Sequence, residues 1–139
     1  KLSLINYMKN EDIPFYNICK KTKFLESNAK IIYPLDNYDY YLYGERSGFF
    51  SYYYPGVTKF KIELFPYAEK VSLDLGVDLK EVIYKENLWQ EAWRKLDESQ
   101  FLYLKEKYKL THIIRENSMP LCFKVMKKNE KYSLYAISN

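Results

Sequence analysis

A chain of 139 residues can build one real hydrophobic core but not two. Its 47% apolar and 29% charged residues exclude wholesale disorder. Its net charge of +4, with acids interrupting the lysines throughout, is too mild and dispersed for a nucleic-acid-binding domain.

Aromatic residues stand out, with 16 Tyr and 8 Phe against 4 Gly. Heavy use of Lys, Tyr, Ile and Asn is what an AT-rich genome produces; the other reading is a tyrosine surface selected to stack on ligands. No stretch approaches the roughly 18 apolar residues that span a bilayer, and no segment has the pattern of a signal peptide. The chain begins at Lys1 without a methionine, so the expectation is a single α/β domain, 1–139, cut from a longer protein. Cys19 and Cys122 are too few for a disulfide framework. One bridge between them would close a long loop, but both lie in periodic apolar segments, so buried free thiols are the leading expectation.

In chain order, Asp12 reads as a helix N-cap with Pro14 in the first turn. Phe15, Ile18, Cys19, Thr22 and Leu25 then give one apolar face to about Ser27. Ile31, Ile32 and Tyr33 predict a strand stopped by Pro34. Asp36-Asn37 could cap a helical turn over 38–43, ended by Gly44 in the left-handed conformation. Strands are predicted over 49–54, closed by Pro55-Gly56, and over 58–64, ended by Pro66. Leu88, Trp89, Ala92, Trp93 and Leu96 mark a helix over about 86–96 whose tryptophans supply core. Asp97 or Ser99 caps a further helix with Phe101, Leu104 and Tyr108 inward. A strand over 110–114 returns as the second leg of a crossover. The segments 121–126 and 131–137 form a hairpin around 127–130. Helices alternating with strands imply an α/β (α+β) fold: a mixed sheet of about five strands, helices packed against it, and a C-terminal β-hairpin.

Sites of chemistry are few. His112 is the lone histidine and the cysteines are not closely spaced, so a structural zinc site has no ligand set; no metal and no cofactor are expected. His112 and Cys122 read as a strand histidine and a small buried apolar residue rather than a catalytic pair. The glycines at 44, 48, 56 and 76 match no phosphate-binding fingerprint. The carboxylate pairs Glu11-Asp12, Asp36 with Asp39, and Asp97-Glu98 sit at helix starts or turns, where acids cap and complement the dipole. The most suggestive patch runs over 38–54, where Glu45-Arg46 lies near the triplet Tyr52-Tyr53-Tyr54. Aromatic faces beside an arginine can stack on a sugar or hold a phosphate, so Arg46, Glu45, Tyr52 and Tyr54 are the candidate ligand-binding residues.

The order of several segments carries a resemblance. Cys19-Lys20-Lys21 leads through Ser27-Asn28-Ala29-Lys30-Ile31-Ile32-Tyr33-Pro34 to Tyr43-Gly44-Glu45-Arg46-Ser47-Gly48-Phe49. An aromatic helix follows with Trp89, Trp93 and Arg94, then Tyr108-Lys109-Leu110-Thr111-His112-Ile113-Ile114 and the closing Tyr132-Ser133-Leu134-Tyr135. Over roughly 12–137 this resembles the C-terminal extracytoplasmic domain of bacterial polytopic membrane proteins similar to GT-C glycosyltransferases. The sequence departs from that pattern by the insertion 71–85. The resemblance implies a cell-membrane protein with this domain on the extracytoplasmic side, partnered by the transmembrane part of its own parent chain. A glycan or lipid-linked sugar is the implied ligand, and nucleic acid is not. In such enzymes the catalytic acid lies in a loop of the membrane part, so no catalytic residue carries over here; Arg46 transfers as a structural or ligand-contacting residue.

The leading expectation is thus a non-catalytic extracytoplasmic module of an envelope membrane protein. The first alternative is a cytoplasmic protein-interaction module with a Tyr-rich surface. The second is a small enzyme using Glu45, Arg46 or His112, which requires a concave pocket gathering at least two of them.

Overall fold

The structure is a computed structural model describing residues 13–36, 43–44, 48–49, 65–82 and 87–138. Helix α1 (Ile13–Lys21) carries Pro14 in its first turn, where a missing N–H costs nothing. Phe15, Ile18 and Cys19 form its buried stripe, and Lys20 and Lys21 meet the negative end of its dipole. It is shorter than the sequence suggests. The Thr22 hydroxyl turns back onto the Cys19 carbonyl at 2.6 Å, and the chain tightens into a 3-10 turn, Thr22–Phe24. Strand β1 (Ile31–Ile32) follows, both residues buried.

Helices α2 (Phe65–Asp74) and α3 (Leu79–Val82) occupy a region for which the sequence pattern predicts no helix. Pro66 reads as a strand stop, yet proline is equally suited to a helix's first turn. Ala68, Val71, Ser72 and Leu75 then turn inward at helical spacing. Gly76, at φ +88°, ends α2 with paired closing bonds. Val77 N–H reaches the Ser72 carbonyl at 2.8 Å and Gly76 N–H the Leu73 carbonyl at 3.0 Å.

Helix α4 (Leu88–Lys95) buries Trp89, Ala92 and Trp93, as their spacing requires. Asp97 caps α5 (Glu98–Tyr108) through a reciprocal box: its side chain accepts the Gln100 N–H at 3.0 Å, and the Gln100 side chain accepts the Asp97 N–H at 2.9 Å. Ser99 is not the cap; its hydroxyl donates to Asp97. Lys109 closes α5 in the left-handed region at φ 62°.

Strands β2 (His112–Glu116), β3 (Lys124–Lys128) and β4 (Tyr132–Ala136) complete a four-stranded mixed sheet in the order β1-β2-β4-β3. β1 runs parallel to β2, with Ile31 opposite His112 and Ile32 opposite Ile113, so the expected crossover return is present. The other pairings are antiparallel, and β3–β4 is the expected hairpin. Its strands are displaced from the predicted bounds because Asn129 builds the turn. Asn129 Oδ1 accepts the N–H groups of Lys131 and Tyr132 at 3.0 and 2.8 Å, and its Nδ2 donates to the Pro14 carbonyl at 2.8 Å, tying the hairpin to α1. β2 likewise starts two residues later than expected, although Leu110 still enters the core.

The pleat sorts side chains between two cores. Against α1 lie Ile31, Tyr33, Ile114, Tyr132 and Leu134. On the opposite face Ile32, Ile113, Tyr135 and Ile137 pack with Trp93, Phe101 and Leu104 of α4 and α5, together with Val71 and Leu75. Four strands are seen where about five were expected. Only Phe49 of the 49–54 strand is described, and its N–H donates to the Ile31 carbonyl at 2.8 Å, on the outer side of β1. The remainder of that strand, the 58–64 strand and 38–42 of the expected helical turn lie outside the described residues. Gly44, expected to terminate that turn, is itself helical. Gly48 leaves room for the buried Tyr33 ring: a Cβ there would stand 2.9 Å from Tyr33 Cδ1 and closer still to Cε1.

Candidate functional site

Of the residues singled out by sequence, Glu45, Arg46, Tyr52 and Tyr54 lie outside the described residues. His112 is described, and it does line a recess. A cavity of about 320 Å³ opens at one end of the sheet, between the 25–29 loop and β3, lined by Leu25, Glu26, Ala29, Thr111, His112 and Met126, with Phe24 at its side. β2 places His112 there because it shares the α1 face with Ile114, two residues on, but lies beyond the end of that helix. Thr111 accepts the Lys30 N–H at 2.9 Å. Its single proton goes to the Lys30 carbonyl at 3.1 Å or to His112 Nδ1 at 2.7 Å, so the histidine tautomer follows the hydroxyl's choice. Cys122 does not join this site. It is exposed, against expectation, because β3 begins only at Lys124 and the alternation read around Leu121 and Phe123 belongs to the preceding turn; the two cysteines are not joined in a disulfide.

Sequence reasoning missed two polar clusters. The first centres on Arg115 of β2, which is buried. Its guanidinium lies 4.9 Å from the Trp93 ring centre and 5.4 Å from that of Phe101. It donates to the carbonyls of Trp93 and Leu96, each at 3.0 Å, and of Met119 at 3.2 Å. At the end of α4 the Trp93 carbonyl otherwise takes only a long bond from the Leu96 N–H, at 3.3 Å, and the Leu96 carbonyl lies past the last helical turn, so the arginine completes the helix terminus and opposes its dipole. Burial lowers the guanidinium pKa, partly offset by the nearby charges of Glu116 and Glu98. Trp93 Nε1 in turn donates to Glu116 at 2.8 Å.

The second cluster joins α2 to α5. Asp74 accepts a hydrogen bond from the Tyr108 hydroxyl and pairs with Lys107 Nζ at 2.6 Å; Lys107 also donates to the Tyr103 hydroxyl at 3.0 Å. Burial pushes the Asp74 carboxyl up, but the bonds from Lys107 and Tyr108 and the charges of Lys107 and Lys70 outweigh it and hold it below the usual carboxylate range. Lys107 is held above its ordinary value, first by its bond to Asp74. Tyr108 is pushed up by burial and then by Asp74. Each shift locks its group in the protonation state it already has at neutral pH. That suits a clip between helices and works against proton transfer, which needs a pKa near the working pH.

Among the described residues no group of three His, Cys, Asp or Glu side chains could hold a metal ion, and no helix is long and apolar enough to cross a membrane. The recess is largely apolar, with the Asn28 carboxamide, the Thr111 hydroxyl, the His112 imidazole and one carboxylate, Glu26, among its lining groups, so it can hold an apolar group beside polar ones. Comparison with protein-family models, with curated proteins and with solved structures returned no match.

Proposed function

We propose that this chain is a non-catalytic module on the extracytoplasmic side of a bacterial membrane protein, working by contact and positioning beside the transmembrane part of its parent chain. Its ligand in this reading is a glycan or lipid-linked sugar, met by Arg46, Glu45, Tyr52 and Tyr54. The observation that carries the contact role is how the interior spends its polar chemistry. Every buried side-chain nitrogen and oxygen among the described residues has a hydrogen-bond partner, and the buried Arg115, Thr22 and Ser72 all bond to backbone carbonyls of the fold. Support for the membrane setting comes from the segments that carry the resemblance. Ile31–Ile32, His112–Glu116 and Tyr132–Ala136, which overlap those segments, form three neighbouring strands of one sheet.

Cys122 supplies the test, because it is exposed while Cys19 is buried. A membrane-impermeant maleimide applied to intact cells that make the full-length protein should label it. The label should be lost in Cys122→Ser, and the protein should sediment with membranes. Labelling that appears only after lysis, with the protein in the soluble fraction, would sink the extracytoplasmic reading.

That outcome would favour a second reading, a cytoplasmic protein-interaction module. The observation behind it is the apolar surface left on and beside β3, where Phe24, Val125 and Met126 are exposed.

A further inference from the structure

β3 is the outermost strand of the described sheet on its side, and all five of its residues are exposed. Only β4 pairs with it among the described residues. Among the described residues no further strand lies on its outer edge, whose backbone donors and acceptors are there open to pairing. Its side chains are of two kinds. Lys124, Lys127 and Lys128 are cationic, while Val125 and Met126 are apolar and more than two-fifths exposed. The register breaks between Val125 and Lys127, so Met126 is the extra residue of a bulge, and it also lines the recess that holds His112. Phe24, 88% exposed, lines the same recess, and the exposed Lys23 precedes it.

Lysines on an edge strand are a common device against pairing with like strands. Here they select as well as exclude. Three of the five residues of β3 are lysine, so pairing this edge with that of a second copy would bring lysines together across the new seam, and like charges across paired strands are destabilising. A strand carrying carboxylates would place opposite charges in the same positions. A recess that opens beside a free edge is the arrangement in which backbone bonds supply affinity and a pocket for one side chain supplies specificity. Glu26 at the recess disfavours an acidic residue there, so the acids belong on the flanks, over the lysines.

We propose that the free edge of β3 and the recess between Phe24 and Met126 form one docking site for an extended peptide. The peptide adds to the sheet as a further strand, seating an apolar residue in the recess and aligning flanking acidic residues with Lys124, Lys127 and Lys128. The inference rests on the contact role proposed above but not on the side of the membrane, so the maleimide result and the result below can fail separately.

The test is fluorescence anisotropy of the 139-residue chain with a labelled octapeptide in which glutamates flank a central phenylalanine. Amide hydrogen exchange is followed in parallel. Saturable binding is expected, with slowed exchange confined to β3 and the 24–29 segment. Reversing Lys124, Lys127 and Lys128 to glutamate should weaken binding about tenfold or more and transfer preference to the lysine-flanked counterpart. Met126→Asp should remove binding of both peptides. These positions are exposed, and circular dichroism checks that each variant keeps its fold. No binding of the acidic peptide by the unaltered chain would overturn the proposal, as would binding that leaves β3 exchange unchanged. Lysine-dependent binding to phosphatidylglycerol vesicles without peptide binding would also overturn it, making the patch a membrane contact.

Discussion

Arg115 and Asp74 both tie a helix end to another element, but in opposite media. The guanidinium lies under two aromatic rings and bonds three backbone carbonyls; the carboxylate stays partly exposed and bonds the side chains of Lys107 and Tyr108. Inside, a polar group cannot fall back on water, so losing one partner leaves the other unsatisfied at full desolvation cost. At the surface water replaces the lost partner and salt screens what is left. The same class of interaction is structural in one place and adjustable in the other.

The sharpest way to break this contrast is Arg115→Met. The substitution keeps apolar contact with Trp93 and Phe101 but takes the arginine's donors from the Leu96 and Met119 carbonyls and leaves that of Trp93 with only its long bond from the Leu96 N–H. Urea unfolding should show a loss of about 3 kcal/mol. Arg115→Lys should recover little of it, since one ammonium cannot span a planar fork of acceptors. A loss near zero in Arg115→Met would mean that water already serves those carbonyls. Trp93→Phe should come next, at about 2 kcal/mol. It removes the Nε1–Glu116 bond and shrinks the ring beneath the guanidinium, and thermal melts at several pH values would measure it.

The smallest effect belongs to Asp74→Asn, at about 1 kcal/mol or less at neutral pH. Its pH profile is the more telling readout. Asp74 is depressed below its ordinary 3.8, so its contribution is full above that value and disappears as pH falls through the folded-state pKa. Lys107 and Tyr108 are raised, so theirs is full below about 10 and disappears at higher pH. The difference in stability between the unaltered chain and Asp74→Asn should therefore plateau between about pH 4 and 10 and shrink in 1 M salt, whereas the Arg115→Met loss should not respond to salt. Equal salt sensitivity of the two would erase the distinction.

Some of this was legible beforehand. Asp97 and Gln100, three apart before an apolar run, announce the capping box. The spacing of Trp89 and Trp93 marks a buried helical face, and the β-branched run at 31–33 marks a strand. Helix α2 was not legible, because Pro66 is as good a first-turn residue as it is a strand terminator and nothing nearby decides between them. Cys122 was misplaced for a related reason. Apolar alternation before a strand looks like the strand itself until the turn that sets the hairpin register is known, and that turn depends on Asn129 reaching Pro14 in α1.

Local chemistry by itself thus determined most of the segments that curl or extend, α2 and α3 excepted, and that helices pack against a mixed sheet, since period, caps and turn residues act over a few positions. Which polar groups matter was decided only by the tertiary structure. An arginine within an apolar strand looks like a surface charge until α4, about 20 residues earlier in the chain, brings its open carbonyls against it. The same holds for β3, whose Lys and Met residues read as an ordinary hairpin arm. Their meaning comes from lying at the end of a strand order that no local pattern encodes, because strand order is settled by which faces bury together across the whole chain.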